Sequence, residues 1–154
     1  MKLNRIIIKN KLSKFYSSNT PFYILSRCNE NKCLDNVSSG GINTSPHLWD
    51  YQSGNFNQIF VLIKNEDGTF SIKNDHSGYY LGMEQLGEEW KIVSREKEKN
   101  LQKYEIIYSG EKDYILFLNE NGKIIDLIKN KTDNGEKIEP NNFTNSYGQQ
   151  WKLY

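Results

Sequence analysis

A chain of 154 residues is long enough to build one domain around a proper core without metal or disulfide staples, and its net charge of +1 offers no basic excess for collecting phosphates. Nucleic acid is therefore not expected as a main partner, and no apolar run approaches the roughly 18–20 residues of a membrane-spanning helix. The composition is polar and rich in Asn and Lys, yet 13% of the residues are aromatic and evenly spread, which argues for a folded, loop-rich protein.

Residues 1–20, MKLNRIIIKNKLSKFYSSNT, carry five basic residues and no acid. The run RIII is too short for a signal-peptide core, and no small-residue cleavage site follows it. The segment reads as a basic N-terminal arm or edge strand, with a faint likeness to a mitochondrial presequence. Without a recognisable signal peptide, a cytoplasmic or non-classically secreted protein is expected.

From residue 21 the apolar and aromatic residues come in short runs: FYIL, QIFVLI, TFSI, YYLG, YEIIY, DYILFL and KIIDLI. Turn formers separate them, including NEDG at 65–68, SG at 109–110 and NENG at 119–122. No stretch sustains helical spacing over three turns, so the chain reads as all-β with about twelve short strands. Cys28 and Cys33, in CNENKC, lie close enough for a local hairpin disulfide, or are simply small buried residues. Neither His47 nor His76 has metal-ligand spacing to them, so no metal or cofactor is expected. Glu88-Glu89 reads as a solvated turn and REKEKN at 95–100 as a charged hairpin tip.

An internal repeat organises the strands. Gln58-Ile59-Phe60, Gln102-Lys103-Tyr104 and Gln149-Gln150-Trp151 share the form Gln-x-aromatic at separations of 44 and 47 residues. Each follows an aromatic-led hairpin: Phe22 to CLD at 33–35, Phe70 to YLG at 80–82, Tyr114 to IID at 124–126. No unit of four short strands can cover its own apolar face, but three can together. The expected fold is a β-trefoil over residues 21–154 with repeats near 21–66, 67–110 and 111–154. It would be a six-stranded barrel closed by a hairpin triplet, with Phe60, Tyr104 and Trp151 inward, and likewise Phe22, Phe70 and Tyr114.

On this threefold motif, with LD after the first hairpin and NQ before the fourth strand, the sequence resembles the ricin B-chain type of β-trefoil lectin over about residues 20–154. The resemblance implies one shallow sugar site per repeat: an Asp after the first hairpin, an aromatic on the next strand, and Asn-Gln opening the fourth. The first repeat keeps all four as Asp35, Trp49, Asn57 and Gln58, with Trp49 14 residues after Asp35 and Asn57 8 after Trp49. His47 falls on the same strand face as Trp49 by alternation.

These residue types suit a hexose. An indole offers a rigid plane for the sugar's C–H face, and a carboxylate accepts hydroxyl protons in charge-assisted hydrogen bonds. An amide donates and accepts, so Asn57 completes what Asp35 begins, while Gln58 orients the carboxylate from behind. In the second repeat Gly82 and Leu101 stand where Asp and Asn belong, and the site reads as dead. The third keeps Asp126 and Gln149 as a possible weak site, but Asn141 takes the aromatic's place and Gly148 the Asn's, with Tyr147 or Phe143 as substitutes on the loop.

The resemblance implies galactose or N-acetylgalactosamine as the glycan; a further alternative is an adhesion or targeting domain of a larger toxin or carbohydrate-active enzyme. No GxSxG, HExxH or phosphate-cradling loop supports an enzyme. The rival is a β-trefoil protease inhibitor or other protein-binding module acting through the loop DNVSSGGINTSP at 35–46. Sequons at Asn36, Asn43, Asn130 and Asn142 match the N-glycosylation pattern.

Overall fold

The computed structural model describes residues 12–17, 19–37, 41–97 and 102–154. Among them are twelve strands, most of them short. The first repeat holds β1 (Ile24–Ser26), β2 (Asn29–Asn36), β3 (Pro46–Asp50) and β4 (Phe60–Lys64). The second holds β5 (Phe70–Asn74), β6 (Tyr80–Leu86), β7 (Glu89–Arg95) and β8 (Tyr104–Tyr108). The third holds β9 (Ile115–Asn119), β10 (Lys123–Leu127), β11 (Ile138–Asn142) and β12 (Trp151–Leu153). The expected all-β chain of twelve strands is what forms. Turns fall where their chemistry places them: Gly68, Gly110 and Gly122 have φ of 85°, 94° and 76°, a region that only glycine enters without strain.

All pairings are antiparallel, in the order β3-β2-β1-β12-β9-β8-β5-β6-β7, with β4 on β5 and β10 on β9 and β11. The architecture is a β-trefoil, but the sheet is not a closed barrel. Between the first repeat's outer strands the ring is bridged only by Phe22 and Phe60, which exchange hydrogen bonds of 2.8 and 2.9 Å. The reason is local: the next residue, Tyr23, commits its N–H and C=O to Tyr154, and β1 is only three residues long. The hairpin β2–β3 meets both β6–β7 and β10–β11 through backbone hydrogen bonds. Asn43 N–H and Ser94 N–H bond Ser94 and Thr44 carbonyls, and Leu48 N–H bonds Glu136 at 2.9 Å.

Phe60, Tyr104 and Trp151 are wholly buried, and each faces a residue on the neighbouring strand. The partners are Phe22, Phe70 and Ile115. Ile115, not the expected Tyr114, is therefore the third member of that set. A slip of one residue along a strand moves a side chain to the other face. Tyr114 is buried elsewhere, under the Arg27 guanidinium at 4.7 Å, with its hydroxyl bonded to Glu30. That hydrogen bond to a carboxylate pushes its phenol up to about 12.

The segment expected as an arm or edge strand joins the core. Residues 12–16 are helical, and Leu12 and Phe15 are buried. Phe15 meets Phe22 edge-on at 5.4 Å, and Tyr16 lies 5.5 Å from Phe70. The ring's outer aromatics thus gain an apolar cover, each buried side chain contributing about 1.5–3 kcal/mol. Residues 1–11 lie outside the described residues. Cys28 and Cys33 are both free thiols, and burial pushes Cys33 up to about 12.

Candidate functional site

Strand pairing assembles the first-repeat residues. Asp35 on β2 sits directly across from His47 on β3, and Cys33 across from Trp49. Alternation puts all four side chains on one face of the hairpin. Asn57 and Gln58 arrive on a 3-10 turn, Phe56–Gln58, whose entry is fixed by Asn55: its side chain accepts Asn57 N–H at 3.0 Å.

Asp35 is the centre of this cluster and is only 2% exposed. Its Oδ1 accepts from Asn57 Nδ2 and from His47 Nε2, both at 3.1 Å, and its Oδ2 accepts from Gln58 Nε2 at 2.9 Å. Gln58, wholly buried, also donates to the Asp50 carbonyl at 2.9 Å and accepts from Gln52 N–H at 2.9 Å. It is a staple between the carboxylate and the loop. Trp49 is half-buried, and His47 lies against it nearly parallel, at 5.1 Å and 23°. The sequence thus names five residues that the fold brings together. It does not show that His47 occupies both Asp35 Oδ1 and one side of the indole. His47 also borders a cavity of about 210 Å³, shared with Pro46, Lys91, Ile92, Lys137 and Glu139.

The third repeat copies part of this. Gln149 Nε2 bonds Asp126 Oδ2 at 3.1 Å and the Asn142 carbonyl at 2.8 Å, and its Oε1 takes the N–H groups of Thr144 and Asn145. Asn141 occupies the position of Trp49 by register and donates to Asp126 Oδ2 at 3.0 Å. Glu139, which the sequence did not single out, stands opposite Asp126 where the first repeat has His47. Gly148 has no room for a side chain: a Cβ there would lie 2.4 Å from the Leu127 carbonyl and 2.6 Å from Asn130 Oδ1. Asn130, at φ 54°, fills that space and accepts Gly148 N–H at 2.8 Å.

In the second repeat Gly82 pairs with Val93 and brings no carboxylate. The same face carries Glu84 instead, gripped by Arg95 through bonds of 2.7 and 2.8 Å that hold its carboxyl below the usual range. Glu84 stands two residues after Gly82, so alternation was the signal for it. Leu101 and residues 98–100 of the charged tip lie outside the described residues, as do 38–40 of the loop at 35–46. Among the sequons, Asn36 is wholly buried and bonds Ser94, so its amide is not open to a glycan, whereas Asn142 is exposed. Glu88 and Glu89 are exposed at the β6–β7 turn. Among the described residues no helix is long and apolar enough to cross a membrane, and no three His, Cys, Asp or Glu side chains are grouped to hold a metal ion.

The fold recurs among solved structures. The designed threefold protein ThreeFoil superposes with a TM-score of 0.78 at 21% identity, covering 86% of this chain and 96% of that one. A mosquitocidal holotoxin gives 0.76 at 19%, over 87% of this chain and 17% of its own. The Macrolepiota procera ricin B-like lectin, solved with lactose, gives 0.71 at 15%, over 87% and 94%. No curated protein matches in sequence. A family model, the ricin-type β-trefoil lectin domain-like, matches residues 12–90, which spans the helical turn, the whole first repeat and its Asp35 cluster. The chain belongs to that ricin-type β-trefoil lectin family.

Proposed function

We propose that this chain is a carbohydrate-binding lectin with no catalytic activity of its own, carrying one competent shallow site in the first repeat for galactose or N-acetylgalactosamine. The observation that supports it best is the Asp35 cluster: a carboxylate aimed by Asn57 and Gln58, with a half-buried indole on the same hairpin face. A hexose stacks its C–H face on Trp49 while a hydroxyl approaches Asp35 Oδ1 and Asn57. Because His47 already holds Oδ1, the hydroxyl replaces the imidazole, which turns toward the cavity it borders. His47 thus belongs to the site as the group displaced.

The second repeat has a glycine in place of the aspartate, and Arg95 engages both oxygens of the neighbouring Glu84. The third keeps Asp126 and Gln149 but lacks a stacking plane on β11, and contributes weakly. A single site of this kind binds near the millimolar range, roughly −4 kcal/mol. Useful avidity then comes from a second module, which fits a role as the targeting domain of a larger toxin or carbohydrate-active enzyme. The inhibitor reading through the loop at 35–46 is weaker, since Asp35 and Asn36 at its start are buried in β2.

The test is glycan-array binding of the wild type, Trp49→Ala and Asp35→Ala, with folding followed by circular dichroism. The lectin reading expects a signal on terminal galactose or N-acetylgalactosamine that Trp49→Ala abolishes in a folded protein. Retained binding in Trp49→Ala would overturn it.

A further inference from the structure

The 3-10 turn that delivers Asn57 has a second exposed feature. Phe56, the residue just before Asn57, is 54% exposed, an unusual setting for a phenylalanine. It is nonetheless held in place. His76, from the β5–β6 turn, stacks on it at 4.2 Å with the rings only 5° from parallel. Both are anchored by one wholly buried side chain, Asn74. Its Nδ2 donates to the Phe56 carbonyl at 2.9 Å, and its Oδ1 accepts the N–H groups of His76 and Ser77 at 3.0 and 2.9 Å. With His76 covering one face, Phe56 still keeps about half of its surface exposed on an anchored turn.

The arrangement recurs. Tyr147 opens the equivalent turn of the third repeat, Tyr147–Gly148–Gln149, and is also 54% exposed. It too is covered on one side by a residue from the next repeat's first turn, with the Arg27 guanidinium at 4.0 Å. The backbone bond tying the two repeats is also copied: Asp75 N–H to Ile59 at 2.9 Å, Arg27 N–H to Gln150 at 3.0 Å. A solvent-facing aromatic at this position is therefore built twice by the same scaffold.

Its placement matters. The turn packs between β2 and β5, sending the amides of Asn57 and Gln58 to Asp35 on one side and Phe56 to His76 on the other. Phe56 and Asn57 are neighbours on one turn, about 3.8 Å apart at Cα, with side chains leaving on opposite sides. A single hexose at Asn57 therefore does not reach Phe56, and a glycan must cross the turn with its adjoining residue to do so. We infer that Phe56, backed by His76, is a second stacking subsite that takes the adjoining residue of an oligosaccharide whose first residue sits on Asp35 and Trp49. This rests on the carbohydrate reading of the first repeat. The site is thereby selective for oligosaccharides over single hexoses.

Calorimetric titration of wild type, Phe56→Ala, Phe56→Tyr and Trp49→Ala with galactose, lactose and lacto-N-tetraose tests it. Wild type should bind one of the longer sugars about three- to tenfold more tightly than galactose, the range expected of one aromatic stacking contact. Phe56→Ala should keep the galactose affinity and lose that gain, and Phe56→Tyr should keep both. An unchanged ratio of affinities in Phe56→Ala, or no gain with length in wild type, overturns the subsite and leaves the lectin reading standing. A pair that only clasps two repeats would lower the melting temperature without moving that ratio. Absence of binding to all three sugars removes the first-repeat site, and this subsite with it.

Discussion

Asp35 has two jobs, which its surroundings separate. It is the acceptor the sugar reading needs, and it also satisfies the buried amide of Gln58. Asp35→Ala strands one N–H of that amide, while the other stays on the Asp50 carbonyl, so it should destabilise the fold by about 1–3 kcal/mol in urea unfolding. Trp49→Ala, at a half-buried position, should cost less than Asp35→Ala in the same titration, which makes Trp49 the cleaner probe of binding. His47→Ala removes the competitor on Oδ1, and the proposed site should then bind galactose more tightly, by about two- to tenfold for one hydrogen bond no longer broken. A fall in affinity would instead make His47 a direct ligand of the sugar. Cys33 gives a check on burial. Its thiol is raised to about 12 because burial disfavours the thiolate. The unfolded chain therefore loses this proton first, so stability should drop as pH climbs above 9 toward 12, and iodoacetamide should leave Cys33 unlabelled in the native protein at pH 8.

At the scale of elements, the strands were legible because their period is two and glycine-bearing turns punctuate them. The cluster residues were legible because β2–β3 register puts Asp35, His47 and Trp49 on one face. What sequence could not give was offset within a strand and the filling of space by loops. Tyr114, expected inward, yields that place to the adjacent Ile115, because only pairing with Trp151 decides which of the two points inward. Gly148 shows the second limit. Read as a lost Asn, it invites restoration, yet the Leu127 carbonyl and Asn130 leave no room for a Cβ. Gly148→Asn should therefore lower the melting temperature and create no third-repeat binding; a stable variant that gains galactose affinity would contradict this.

For the whole molecule, threefold recurrence of Gln-x-aromatic carried the fold, since three copies in phase leave few architectures able to bury them. Two features lay beyond that pattern. The ring is joined at Phe22–Phe60 by a single bridge, and Leu12 and Phe15 of the helical turn enter the core from a segment that reads as merely basic. Phe15→Ala should accordingly cost about 3 kcal/mol, measured by thermal or urea unfolding, where a solvated arm would show no change. The proposed single site per chain predicts weak agglutination of cells by the isolated protein and strong agglutination once two copies are fused.

The most direct measurement is a crystal soaked with galactose, lactose or N-acetylgalactosamine. The account predicts a pyranose stacked on Trp49, one hydroxyl within hydrogen-bonding distance of Asp35 Oδ1 and Asn57, and the His47 ring turned off the carboxylate. A sugar bound away from β2–β3, with His47 still seated on Asp35, would contradict it.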